Sequence, residues 1–83
     1  MNNQKIFEIF APPNEKLLLQ TIKKVNEKTK ATTKKIAHAL EQVTGKSPES
    51  DELIHMLNHL QENGIVEIDI ANLWDNPQFV WKP

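Results

Sequence analysis

The chain has 83 residues, 39% hydrophobic and 25% charged, with a formal net charge of −1 and no cysteine. That suits one domain with a small core, and it excludes a disordered tract, a disulfide scaffold and thiolate chemistry. No run reaches the roughly 18 apolar residues of a membrane span and the start lacks the pattern of a secretory leader, so a cytoplasmic protein away from membranes is expected.

Residues 1–13 stand apart from a domain at 14–83. Ile6, Phe7, Ile9 and Phe10 fit one face of a short helix, although the segment is also rich in strand formers. Ala11-Pro12-Pro13 ends either element, because proline restricts its predecessor and has no amide to donate. Four large apolar side chains here must be covered, by the domain's own core or by a second copy. Ile6, Phe7 and Phe10 are therefore candidate partner contacts.

Asn14 suits the cap of the first helix of the domain, with Leu17, Leu18, Ile22 and Val25 as its buried stripe. Lys16, Lys23, Lys24 and Lys28 then fall largely towards solvent. Thr29 to Thr33 reads as a short connection, in part extended. A second helix follows from Thr33 to Val43, burying Ile36, Ala37, Leu40 and Val43, and Thr44-Gly45 stops it.

Ser47 is placed to cap the central helix, with Pro48 at its first position and Glu49, Asp51 and Glu52 near the positive end of its dipole. Leu53, Met56, Leu57 and Leu60 recur at helical spacing, and Ile54 widens the stripe. Asn63-Gly64 ends the run, and Leu60 with Ile65 forms the hydrophobic pair of a Schellman stop. Val66, Ile68 and Ile70 then alternate with Glu67 and Asp69, the period of a half-buried strand. Asp75-Asn76-Pro77 signals a turn, and Gln78 to Lys82 alternates again, which makes an antiparallel hairpin. Phe79 and Trp81 share a face, with Trp81 assigned to the core. Trp74 sits in the turn, where it either packs back or meets a partner.

The order of three helices and a hairpin resembles a winged-helix domain, a helix-turn-helix with a β-wing. The resemblance spans Asn14 to Pro83. It is carried by Thr32-Thr33-Lys34-Lys35-Ile36-Ala37-His38-Ala39-Leu40 and by Leu53-x-x-x-Leu57-x-x-Leu60-x-x-x-Gly64-Ile65-Val66. It implies an α+β, mainly helical fold, a three-helix core with a C-terminal two-stranded β-wing. It also implies a recognition helix for the DNA major groove and a wing near the minor groove or backbone, although many relatives bind proteins instead.

Charge separates along the chain. Residues 1–46 hold nine of the ten lysines against four acids, and residues 47–83 hold Lys82 against seven acids. Lys30, Thr32, Thr33, Lys34 and Lys35 surround the start of the helix that would cross a phosphate backbone, and Lys46 follows its end. Lysines there oppose the helix dipole, so helix stability alone does not favour them, whereas a bound phosphate would. The central helix exposes Asp51, Glu52, His55, Asn58, His59 and Glu62. His55, Asn58 and His59 are the base-reading candidates. Its acids would repel phosphates, and with no arginine in the chain the commonest bidentate contact to guanine is missing.

His55 and His59 have helical metal-ligand spacing with Asp51 one turn earlier. Met56 replaces the glutamate of the metalloprotease pattern, however, so no metal and no cofactor is expected. Nor is there a nucleophile–base pair, a glycine-rich phosphate loop or a suggestive carboxylate pair, so the chain does not read as an enzyme. The leading expectation is a small transcriptional regulator that binds double-stranded DNA, with a homodimer favoured by the small footprint of one copy. The alternative is a winged-helix protein-interaction module that does not bind DNA.

Overall fold

In the computed structural model, which describes residues 13–73 and 76–83, three helices precede a two-stranded antiparallel sheet. They are α1 (Pro13–Asn26), α2 (Thr33–Thr44), α3 (Ser50–Glu62), β1 (Glu67–Leu73) and β2 (Asn76–Lys82). This is the mainly helical, winged-helix-like layout expected. The expectations for Ile6, Phe7, Phe10 and Trp74 fall outside the described residues.

The first helix already includes Pro13, one residue ahead of the expected cap, so Asn14 lies within its first turn. Proline fits that position because no helical amide is required of it. Leu18, Leu19 and Ile22 are fully buried, with Leu17 and Val25 packed at the margin. In α2, Thr32 is the N-cap: its hydroxyl accepts from the Lys35 amide at 3.2 Å. The stop falls where expected, with Gly45 at φ 78° and its amide donating to the Glu41 carbonyl at 2.8 Å. Ile36 and Leu40 are buried, but Val43 is 59% exposed. It lies in the last turn of α2, beside an open groove rather than over the core.

The third helix begins later than its sequence suggests. Its N-cap is Glu49, without a side-chain bond, and the first helical residue is Ser50. Ser47 cannot serve as the cap because its hydroxyl instead donates to Glu41 Oε2 on α2 at 2.9 Å. Leu53, Leu57 and Leu60 are buried. Ile54, expected to widen that stripe, is 43% exposed, because it turns away from the α1–α2 layer. The exit is a Schellman stop. Gly64 (φ 71°) donates to the Gln61 carbonyl at 3.1 Å and Ile65 to the Leu60 carbonyl at 2.9 Å, with Leu60 and Ile65 both buried.

The hairpin pairs Glu67 with Lys82, Ile68 with Trp81 and Ile70 with Phe79, and the ladder runs on to Leu73 opposite Asn76. The expected turn was therefore too wide: Asn76 and Pro77 belong to β2. Proline is tolerated in so narrow a sheet, where each strand is an edge. Among the described residues, the clasp is at the base of the hairpin. Thr32 forms an antiparallel bridge with Val80, and the Trp81 amide donates to the Ala31 carbonyl at 2.9 Å. Asn26 Nδ2 donates to the Trp81 carbonyl at 2.9 Å, and Trp81 Nε1 donates to Thr33 Oγ1 at 2.9 Å. Trp81, Val80 and Val66 are accordingly buried. Beyond that clasp the face expected to be half-buried is open: Ile68 is 41%, Phe79 54% and Ile70 62% exposed.

Candidate interaction surfaces

The first surface is the lysine cluster where α1 gives way to α2. Lys24 lies in the last turn of α1, Lys28 and Lys30 in the connection, and Lys34 and Lys35 in the first turn of α2. Lys35 Nζ donates to Thr29 Oγ1 at 2.6 Å. Lys24, Lys28 and Lys34 have no partner among the described residues, whereas the charge of Lys30 acts on Asp69 of β1. The structure thus brings Lys34 and Lys35 to one groove with Lys24 and Lys28 and sets Lys30 beside Asp69 of the hairpin instead. It leaves Lys46 beyond the other end of α2, about 18 Å away at 1.5 Å per residue. The two threonines expected with these lysines are bonded within the domain. The Thr32 hydroxyl caps α2 and Thr33 receives the indole N–H.

The exposed face of α3 is the second surface. It carries Asp51, Glu52, Ile54, His55, Asn58, His59, Gln61 and Glu62, and the whole helix contains no lysine. His55 and Asn58 point to solvent. His59 bonds through Nδ1 to Glu15 Oε1, which joins α3 to the first turn of α1. Asn63 adds a bond from Nδ2 to the His59 carbonyl at 2.8 Å. Among the described residues, no group of three or more histidines and acids is placed to hold a metal.

A groove of about 720 Å³ between α1 and α2 is the third surface, and periodicity did not flag it. Its apolar floor is Val25 on α1 with Ala39 and Val43 on α2. Lys24 and Lys28 rim one side and Lys34 and Lys35 the other, so their aliphatic stems form walls while the ammonium groups stay in water. The fourth is the open face of the hairpin, Ile68, Ile70 and Phe79, where the Phe79 ring leans 57° to that of Trp81 at a centroid distance of 6.5 Å. On the opposite face Lys82 Nζ meets Asp69 Oδ2 at 3.2 Å. The Ile70 amide on Asp69 Oδ1, and then Lys82, hold the Asp69 carboxyl below the usual carboxylate range.

No protein-family model, curated protein or solved structure matches the chain. The function must therefore be argued from these four surfaces. Two of them, the groove and the hairpin face, were missed at the sequence level. For the groove a partial signal existed in the three- and four-residue recurrence of Lys35, His38, Ala39 and Gln42 on α2, but Val25 and Val43 of its floor fell in the expected core stripes.

Proposed function

We propose that the chain is a winged-helix-like protein-interaction module. What carries the reading is the charge of α3. The helix that would enter a major groove presents Asp51, Glu52 and Glu62 and no cation, so phosphates flanking the groove would repel it. The surfaces left open elsewhere, the groove floor and the hairpin face, are apolar, which suits a protein partner. Transcription control, dimerisation and membership of the winged-helix superfamily are not needed for this reading.

A second reading keeps DNA as the partner, held by its backbone alone. Lys28 and Lys34, near the N-terminus of α2 and without a partner among the described residues, favour it. Salt separates the two. Fluorescence anisotropy of a mixed-sequence duplex, titrated with protein at about 50 mM and about 200 mM salt, is expected to show no saturable binding. Binding that weakens by about a hundredfold or more over that range, and is lost in Lys34→Glu with Lys35→Glu, would overturn the interaction-module reading in favour of backbone contacts.

A further inference from the structure

We infer that the α1–α2 groove is a docking site for an acidic amphipathic helix of a protein partner. The inference rests on the interaction-module reading and names the partner's chemistry. Its first support is geometric. The rows lining the groove are Thr21, Lys24, Val25 and Lys28 on α1 and Lys35, His38, Ala39, Gln42 and Val43 on α2. Both follow the i, i+3, i+4, i+7 spacing with which one helix packs against another. The α2 row lies off the core stripe of Ile36 and Leu40, whereas on α1 only Lys24 and Lys28 stand clear, with Thr21 buried and Val25 at the margin of the core. The second helix thus carries two packing faces, and in the described structure the one that faces the groove is unoccupied. Ala39, in the middle of the α2 row, is small enough for a third helix to approach closely.

The second support is electrostatic. Lys24 and Lys28 stand on one rim and Lys34 on the other, all without a carboxylate partner among the described residues. Such an arrangement selects a ligand with an apolar stripe flanked on both sides by Asp or Glu, and repels one flanked by Lys or Arg. The floor of Val25, Ala39 and Val43 accepts the stripe, and the half-exposed Val43 is the natural anchor point for an apolar side chain of the partner.

The probe for the test is a synthetic peptide as long as α1, with leucine at i, i+3, i+4 and i+7 and glutamate on both flanks. Its control is the same peptide with lysine in place of glutamate. Anisotropy of the labelled peptides is expected to show the acidic one binding at least about tenfold more tightly than its basic twin. Amide shifts of the protein should move at Val25, Ala39 and Val43. Val43→Asp is expected to weaken binding by about tenfold or more while leaving the fold intact, since the residue is already exposed, and Ile70→Asp should leave it unchanged.

Equal affinity for the two peptides, or binding that survives Val43→Asp, overturns the proposal. So does no binding of the acidic peptide. A peptide that shifts Ile68 and Phe79 instead overturns the groove alone and leaves the interaction module standing. A third arm uses a peptide of residues 49–62 of this chain: if it fills the groove and the protein self-associates in sedimentation, the occupant is a second copy and the commitment to a foreign partner fails.

Discussion

The indole of Trp81 provides the sharpest test of how the hairpin is fixed to the helices. It is almost wholly buried, and its Nε1 donates to Thr33 Oγ1 at 2.9 Å. Thr33→Val preserves side-chain shape but removes the acceptor, which strands a buried N–H and is expected to destabilise by about 1–3 kcal/mol. Trp81→Phe removes the donor and also leaves a void, and about 2 kcal/mol is expected from the two effects together. In the double variant neither group is left unpaired, so the losses should fall short of additive by about 1 kcal/mol, the net worth of a neutral hydrogen bond. Urea unfolding followed by far-ultraviolet circular dichroism reads this without relying on tryptophan emission. With a slope of about 1 kcal/mol per molar urea for so small a domain, each single variant should move the midpoint by about 1–3 M. Additivity within about 0.3 kcal/mol would refute the clasp as drawn.

Two further outcomes follow from local geometry. Gly64→Ala is expected to destabilise by about 1–2 kcal/mol, because an alanine is strained in the left-handed region that Gly64 occupies at φ 71°; a midpoint unchanged in urea would mean that the stop of α3 is not a Schellman turn. The Asp69 carboxyl, held low by the Ile70 amide and by Lys82, should titrate below an ordinary aspartate when followed by carboxyl NMR shifts, and Lys82→Gln should raise its midpoint. Because its pKa is lowered by folding, its contribution is present above the ordinary aspartate range and fades as pH falls through the lowered value; a midpoint unmoved in Lys82→Gln would show that the pair is absent in solution.

The sequence made the order of elements legible because two of the three helices carry chemically distinctive stops. Gly45 and Gly64 sit at positive φ, as Thr44-Gly45 and Asn63-Gly64 implied. Helix starts were harder to read. Ser47-Pro48 has the composition of a cap, but Glu41, six residues upstream and on another helix, claims the serine hydroxyl. Alternation correctly paired Phe79 with Trp81 on one face and Ile68 with Ile70 on another stretch of it. It could not say how far the helices extend beneath that face. Burial of a strand depends on what lies under it, and Ile68, Ile70 and Phe79 project past the clasp at Trp81. The lysine cluster was visible at Lys34 and Lys35, although Lys30, expected with them, lies beside Asp69. The groove beside it was not, because Val25 and Val43 of its floor read as core residues and its lysine stems count as polar in any pattern of residue types.

The residues that hold the hairpin in place also set an order in time. Asn26 and Thr33 are bonded to Trp81 across sequence separations of 55 and 48 residues. A ribosome must therefore make almost all of α2, α3 and β1 after their near partners before the far ones exist. Loop closure over about fifty residues is entropically unfavourable and slow compared with forming any single helix. Nascent chains should accordingly carry α1 and α2 with the pocket for Trp81 still unfilled and the apolar floor beneath it wet. In that interval the chain has its greatest exposure to chaperones and to wrong partners, and it closes only when β2 has been made.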